Sequence, residues 1–205
     1  MSASPVRGNH LLALVVAGLL VLCAPWSALA QPEAWTIGEG DVRVTCFLTV
    51  GGNFEIKTRS LSGTLASPAA GASLYQGFLS MDLSTLDSAI ALRNDHLRNK
   101  YLEVAKGAGF ATAIVDDLHL DGGESGASRR RTSFTGTLHL HGTSRAVAGQ
   151  ADITLTPGLV RVDASFPVTI ADFGIADPRY LGVGVKNQVQ VRVRFVATSA
   201  RGQTP

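Results

Sequence analysis

The segment Val160-Arg161-Val162-Asp163-Ala164-Ser165-Phe166-Pro167-Val168-Thr169-Ile170 carries the alternation on which the fold prediction depends. Every second residue of this segment is apolar or small, and the residues between them are mostly polar. Successive side chains of a β-strand point to opposite faces, so a period of two predicts a strand with one buried face. The face expected to be buried consists of Val160, Val162, Ala164, Phe166, Val168 and Ile170.

The same alternation recurs along most of the chain from residue 42 onward. One connection is the turn Gly51-Gly52-Asn53, and the run that follows it is irregular near Arg59 and Ser60, where a bend would let both halves keep an inward face. Many strands with mostly short connections predict an antiparallel all-β sandwich or barrel. The barrel is favoured because closure removes exposed sheet edges. The predicted strands lie at 42–50, 54–65, 74–83, 110–120, 134–140, 151–155, 160–170 and 189–195.

One segment interrupts the strand pattern. Between residues 85 and 106 the apolar residues recur at steps of three or four, or multiples of them, which predicts one helix or two short ones. These residues are Leu86, Ile90, Leu97, Tyr101 and Leu102. The strand pattern resumes after Gly107 and Gly109, and the residues expected on one face there are Phe110, Thr112, Ile114, Asp116, Leu118 and Leu120.

Composition indicates a globular chain of one domain. The chain has 205 residues, of which 45% are hydrophobic and 17% charged, with a formal net charge of +2. A hydrophobic content of this size excludes a disordered chain. Nucleic acid is not expected as a partner, because neither a clustered basic footprint nor an aromatic stacking platform is present.

The first 30 residues have the three parts of a secretory signal. Arg7 lies in a polar start, the apolar run from Leu11 to Cys23 is thirteen residues long, and Ala28-Leu29-Ala30 matches a signal-peptidase site. A membrane-spanning helix needs about 20 residues. We therefore expect cleavage before Gln31 and a periplasmic or secreted protein without stable membrane insertion. A lipoprotein modified at Cys23 is disfavoured, since a leucine precedes that cysteine.

Removal of the signal would leave Cys46 as the only cysteine. An intrachain disulfide is then impossible, and a cysteine in an alternating apolar strand is expected to pack as a small buried hydrophobe.

No pattern in the sequence predicts catalysis or a cofactor. His139 and His141 lie two residues apart, which would place both rings on one strand face about 7 Å apart. No third metal ligand is evident, so a solvated outer wall is expected for both. His96, beside Arg93 and Asp95, is expected to form a polar cap at a helix end or at the barrel rim. Arg129 to Arg131 are expected at a soluble loop tip, and nucleophile, phosphate-loop and zinc motifs are missing.

Three segments resemble the YceI-like family of exported lipid-binding proteins. The first is Leu92 to Leu97 followed by Lys100 to Val104, with an Arg-x-x-His-Leu pattern. The second is the hairpin Gly136 to Arg145, and the third is Asp172-Phe173-Gly174-Ile175 with the strand 189–195. The resemblance covers residues 35–197. It implies a closed antiparallel lipocalin-like barrel of about eight strands, formed by residues 31–197 and followed by a polar tail at 198–205.

The resemblance also implies that the barrel holds a polyisoprenoid or another long-chain lipid for transport, storage or sequestration. An eight-stranded barrel has just enough interior to be packed or to hold one slender ligand. The alternative is therefore a filled barrel that acts as an interaction or stress-protective module; an enzyme is the weakest hypothesis, and a homodimer is left open. The helical insertion, from Leu92 to Leu102, is expected to close one mouth. The residues predicted to contact the ligand are Phe54, Phe78, Leu92, Phe110, Ile114, Phe134, Leu138, Ala164, Phe166, Ile170 and Phe195.

Overall fold

The computed structural model describes residues 33–67, 74–121, 129–180 and 182–199, which are mostly β-strand. The predicted signal at 1–30 and the tail from residue 200 lie outside the described residues. Arg129 to Arg131, expected at a soluble loop tip, are in a strand, so that prediction is wrong. Within the described ranges, none of the helices has the length and apolar character needed to span a membrane.

All strand pairings are antiparallel, and neighbours in the chain are mostly neighbours in the sheet. The first strand begins nine residues earlier than the predicted start at 42. The strands are β1 Glu33–Leu48, β2 Asn53–Thr58, β3 Ser62–Ser67, β4 Leu74–Asp82, β5 Thr112–Asp121, β6 Arg129–Leu140, β7 Thr143–Thr156, β8 Leu159–Thr169, β9 Arg179–Tyr180 and β10 Val183–Ser199.

Pairing of the first strand with the last closes the sheet. β1 and β10 pair from Trp35 opposite Ser199 to Leu48 opposite Val185. β2 pairs with the second half of β1 and β3 with its first half, so β2 and β3 together occupy one position in the ring. The break between them, at residues 59–61, is the irregularity that the sequence predicts. The fold is a closed eight-stranded antiparallel barrel in which β9 is an extra strand, and the fold prediction is confirmed.

The helical insertion is a series of short segments rather than one helix. These are a 3-10 helix at Leu83–Thr85, α1 at Ala91–Asp95, a π-helix at His96–Tyr101, a second 3-10 helix at Val104–Lys106 and α2 at Ala108–Ala111. Asn94 fixes the turn that leads into α1, since its side-chain oxygen accepts hydrogen bonds from the Ser88 amide and hydroxyl at 2.8 and 2.7 Å. The insertion extends past residue 106, so the prediction that Phe110 begins a strand is wrong.

A bulge changes the phase of β5. The register of β5 with β6 shifts between Asp116 and His119, and Asp117 has a φ of +46°. One extra residue in a strand reverses which face each later side chain occupies. Ala113 therefore points inward before the bulge and Leu118 after it, and both are buried. The prediction that one unbroken alternation runs through this strand is therefore wrong, and Ile114 faces away from the interior.

Candidate functional site

One half of the barrel interior is filled by side chains. Phe134, Phe195 and Ala164 are buried in this packed half, and Trp35 meets Tyr75 edge to face with ring centroids 6.3 Å apart. The most deeply buried residues here are Leu65, Leu120, Ile153, Val160, Val162 and Ala197. Close packing of this kind leaves no space for a ligand.

The other half of the interior contains a cavity of about 630 Å³. This volume falls in the range of about 300–1,000 Å³ typical of small-molecule sites. The cavity walls are almost entirely apolar and come from most of the strands and from the helical insertion. Lining residues include Val42, Val44, Ile56, Leu79, Ala113, Leu138, Val189 and Val193. Phe166 also lines the cavity, and its ring contacts Phe134 of the packed half at a centroid distance of 5.6 Å. The Phe166 ring, with Phe134 behind it, therefore forms the floor.

Three segments form the mouth of the cavity, and hydrogen bonds join them. The β1–β2 turn contacts the start of β10, where the Thr49 amide donates to the Gly184 carbonyl at 2.8 Å and the Gly184 amide donates to Thr49 Oγ1 at 3.0 Å. The helical insertion contacts β9, where the Arg179 amide donates to the Tyr101 hydroxyl at 3.2 Å. The insertion thus lies over the open end of the barrel, as predicted.

The charged side chains of the cavity lining come from the segments that form the mouth. Arg93 and His96, three residues apart on the insertion, both line the cavity, as does Arg179. The Arg93 guanidinium lies over the Phe54 ring, 4.0 Å from its centroid, which is a cation–π contact. Carboxylates are missing from the cavity lining within the described part of the chain. The mouth therefore combines an apolar wall with cationic side chains.

Cys46 lines the same cavity and is buried, which confirms the prediction that it packs as a small hydrophobe. Burial raises the pKa of the Cys46 thiol to about 12, because the low-polarity surroundings disfavour the thiolate, and nearby Arg93 offsets this only in part. At neutral pH the group is a neutral thiol and a poor nucleophile.

Five of the residues predicted to contact a ligand do line the cavity: Phe54, Leu92, Leu138, Phe166 and Ile170. Phe134, Ala164 and Phe195 are buried but belong to the packed half. Sequence reasoning missed Arg93, His96, Ala113 and Cys46 as lining residues. The spacing of Arg93 and His96 was the available signal, because residues three apart lie on the same face of a helix.

Three residues expected in the interior lie outside it. Phe78 is 43% exposed because the inward position is taken by its neighbour Leu79. Phe110 belongs to α2, where its ring meets that of His141 edge to face at 4.7 Å. Ile114 is on the outer face because the β5 bulge sets Ala113 inward. For Phe78, Phe110 and Ile114 the predicted position in the lumen is wrong.

The two predicted outer-wall histidines have different surroundings. His139 is on the outer wall, with Nε2 2.8 Å from Asp116 Oδ2. His141 follows the end of β6 in a turn with a φ of +52°, and its side chain is only 10% exposed. Its Nδ1 lies 2.9 Å from the Phe173 carbonyl and its Nε2 3.1 Å from Glu103 Oε2. The prediction of a solvated wall position is wrong for His141, which links the insertion to the turn after β8.

A serine, a histidine and a carboxylate adjoin on the outer wall. Ser144 Oγ lies 2.7 Å from His139 Nδ1, and Asp116 lies on the other side of the ring. Nucleophilic catalysis uses these residue types, but in a site that excludes water. Here the His139 and Asp116 side chains are 40% and 44% exposed, and none of the three residues lines the cavity. The contacts are polar cross-strand contacts that stabilise the sheet. Among the described residues, no cluster of three His, Cys, Asp or Glu is placed to hold a metal ion.

A closed antiparallel barrel of eight strands with an apolar cavity open at one end is the architecture of lipocalin-like barrels, which hold a small ligand in the lumen. The chain belongs to the YceI-like family, since the model of the YceI-like domain matches residues 32–197. None of the curated proteins matches the sequence.

Solved structures share this fold at low sequence identity. A polyisoprenoid-binding domain from Saccharophagus degradans, implicated in plant cell wall breakdown, is 16% identical with a TM-score of 0.64 over 82% of this chain and 99% of its own. BcnA from Burkholderia cenocepacia is 16% identical with a TM-score of 0.58, over 77% of this chain and 96% of its own. The Campylobacter jejuni YCEI protein is 13% identical with a TM-score of 0.52, over 72% of this chain and 85% of its own.

Proposed function

We propose that this protein binds a long-chain apolar lipid of the polyisoprenoid type in the open half of the barrel and acts as its carrier or store. The observation that supports this proposal is the 630 Å³ cavity, whose wall is apolar except for Ser80 and the polar side chains of the mouth segments. A lipid chain would enter past the helical insertion and end at the floor, with its polar end at the mouth. The Saccharophagus degradans domain named for polyisoprenoid binding shares the fold, which supports the ligand class.

The driving force of such binding is removal of the chain from water. Each buried CH₂ contributes about 0.8 kcal/mol, so ten of them contribute about 8 kcal/mol before the entropic cost of association. Because the wall is apolar and the Cys46 thiol is neutral, a ligand needs no polar group inside the cavity. The packed half limits how much of a long chain the barrel can enclose.

Native mass spectrometry of the chain beginning at Gln31, purified without detergent, tests the proposal. The expected result is a bound species whose mass is lost on organic extraction and recovered in the extract as an apolar lipid. Protein that shows only its own mass, with an extract free of lipid, would instead support the filled module without a ligand.

We also propose that the protein is exported and then processed. The support is the sequence of residues 1–30, with its thirteen-residue apolar run and the Ala28-Leu29-Ala30 site. N-terminal sequencing of protein recovered from the periplasm or medium should begin at Gln31. Cytoplasmic protein that retains Met1, or a lipid-modified Cys23, would contradict this proposal.

A further inference from the structure

Exposed apolar side chains are concentrated at the mouth of the barrel. Six large hydrophobic residues are exposed in the described part of the chain. Ile90, Leu92 and Val183 are 48%, 54% and 38% exposed and also line the mouth of the cavity. Val50, at 74%, is in the β1–β2 turn, next to Thr49, which hydrogen-bonds to the start of β10. We call these four residues the apolar rim.

The apolar rim is not explained by packing within the barrel. Clustered exposed apolar side chains of this kind mark interaction surfaces, whereas single ones are ordinary. Phe78 is an example of a single one, on the side wall of the barrel. The four rim residues come from three separate chain segments, and the mouth hydrogen bonds hold those segments together.

Cations without a carboxylate partner accompany the apolar rim. Arg93 lines the mouth, Lys100 is exposed with its Nζ 5.4 Å from the Tyr101 ring centroid, and Lys186 is exposed one residue beyond the lining residue Val185. None of these three makes an ion pair with the described residues. Arg179 adds a cation that is only loosely paired, 3.6 Å from Asp177.

The nearby carboxylates are hydrogen-bonded within the protein. Asp95 accepts a hydrogen bond from the Asn99 side-chain amide at 2.7 Å. Asp87 accepts one from the Asn94 side-chain amide at 2.6 Å and one from the Ala89 backbone amide at 2.9 Å. These bonds come from neutral amides, so both carboxylates keep their charge, but neither pairs with Arg93, Lys100 or Lys186. The surface around the mouth is apolar at its centre, and these three cations lie beside it free to contact anions. An anionic bilayer has the complementary order, with acyl chains beneath a layer of negative headgroups.

We propose that the apolar rim docks on the surface of an anionic lipid bilayer. Val50, Ile90, Leu92 and Val183 insert among the headgroups and upper acyl chains, and Arg93, Lys100 and Lys186 contact lipid phosphates. Docking in this orientation places the cavity opening against the bilayer. The proposal rests on exposure and charge, so it does not depend on which ligand the cavity holds.

Vesicle co-sedimentation tests this surface directly. The chain beginning at Gln31 contains the whole barrel and lacks the apolar run of residues 11–23, which would itself bind lipid. Its affinity should be measured for anionic vesicles, made of phosphatidylglycerol mixed with phosphatidylcholine, and for vesicles of phosphatidylcholine alone. We expect binding to the anionic vesicles that weakens as salt is raised, since the charge attraction is screened.

Val50→Asp is the first variant, because Val50 is exposed and does not line the cavity. We expect about a tenfold or greater loss of affinity for anionic vesicles, since a carboxylate replaces an inserting apolar group and is repelled by the lipid charge. Phe78→Asp is the matched control, the same kind of change at an exposed apolar residue on the side wall, and it should bind like the wild type. Lys100→Gln with Lys186→Gln should weaken binding about fivefold for each charge removed.

Three results would overturn the proposal. Wild-type protein could fail to bind anionic vesicles, Val50→Asp could bind them as tightly as the wild type, or Phe78→Asp could weaken binding equally. Light scattering that shows a dimer dissociated by Val50→Asp, without vesicle binding, would assign the apolar rim to a second copy of the chain. Native mass spectrometry of Val50→Asp should show unchanged lipid content, so failure of docking and failure of the proposed function are measured separately.

Discussion

The ring of Phe134 meets the ring of Phe166 edge to face, with centroids 5.6 Å apart and an interplanar angle of 87°. Phe166 lines the cavity and Phe134 does not. This pair therefore separates the open half of the lumen from the packed half. Alternation predicts correctly that both rings point inward, but the depth of each ring along the barrel axis is set by strand register, which alternation does not specify.

Tryptophan substitution on the two sides of this floor should give opposite results. Ala113→Trp places an indole in the cavity, where space is available, so it should reduce bound lipid with little loss of stability. Ala164→Trp places the same group in the packed half and should destabilise the fold by about 1–3 kcal/mol or more. Urea denaturation and lipid extraction on both variants measure the two effects.

If Ala113→Trp loses as much stability as Ala164→Trp, and the wild type carries no lipid, the cavity is not a ligand site. The two alanines form a matched pair because both are buried, at 7% and 8% exposure, and both are in strands.

The fold was predictable from sequence because burial of one face imposes alternation on every strand. Closure was predictable because an open sheet of so many strands would leave exposed edges. The phase of β5 was not predictable, since the bulge at Asp117 depends on its pairing with both neighbouring strands. The prediction for Phe78 is wrong for a related reason: an aromatic residue in a strand does not by itself indicate whether it faces inward or outward.

The candidate site was predictable only in part. The helical insertion identifies the covered mouth, Phe166 follows from its strand pattern, and Leu92 follows from the family resemblance. His141 was misplaced because β6 ends at Leu140, so the expected alternation no longer applies at the next residue. Contacts such as that of His141 with Glu103 join residues 38 positions apart, and local patterns contain no information on them.

His141 should matter for stability more than His139. His141→Ala removes the contacts with the Phe173 carbonyl and Glu103 from a nearly buried position, so the free energy of unfolding should fall by about 1–3 kcal/mol. His139→Ala removes exposed contacts that water can replace, and the change should stay within about 0.5 kcal/mol. Equal losses in the two variants, measured by urea denaturation, would contradict the assigned environments.

The Cys46 thiol should react slowly in the folded protein. Its pKa of about 12 leaves almost no thiolate at pH 8, and its side chain faces the cavity. Reaction with a chromogenic disulfide reagent should therefore be far slower in buffer than in denaturant. The chain beginning at Gln31 is needed, since Cys23 would otherwise react as well. Rapid reaction in buffer would show that the cavity admits solvent and reagent freely.

Asp163 should contribute stability that is lost in acid. Arg192 donates to its two carboxylate oxygens at 2.7 and 2.6 Å, and together with Arg194 this holds the pKa of Asp163 below its ordinary value of 3.8. A carboxyl whose pKa is lowered by folding stabilises the protein at pH values above its unfolded pKa. That contribution disappears as the pH falls below 3.8 through the lowered value.

Asp163→Asn tests this contribution. The side chain is 31% exposed, so its loss at pH 7 should cost about 1 kcal/mol or less. The difference in unfolding free energy from the wild type should narrow as the pH is lowered from 5 towards 2. A difference that is constant over this range would show that the ion pairs do not stabilise the fold.

Gly149 lies against the floor of the cavity and has no room for a side chain. A Cβ atom at this position would overlap the Ser165 carbonyl oxygen and lie 2.7 Å from Phe134 Cε1 and 2.8 Å from Phe166 Cβ. Because the carbonyl belongs to the neighbouring strand β8, it cannot move without disturbing the sheet. Gly149→Ala should therefore destabilise the fold by about 1–3 kcal/mol, the usual cost of overpacking.

Gly38→Ala provides the control, because the nearest atom to its Cβ would be the Val196 carbonyl oxygen at 4.0 Å. With space available, that change should be neutral or stabilise by up to about 1 kcal/mol, since alanine restricts the unfolded chain more than glycine does. Thermal and urea denaturation of both variants compare the two positions. Gly149→Ala should also displace the Phe134 and Phe166 rings from each other, so its near-ultraviolet circular dichroism should differ from that of the wild type and of Gly38→Ala. Equal stability of the two variants would show that the floor is loosely packed, and the division of the lumen at Phe166 would then be wrong.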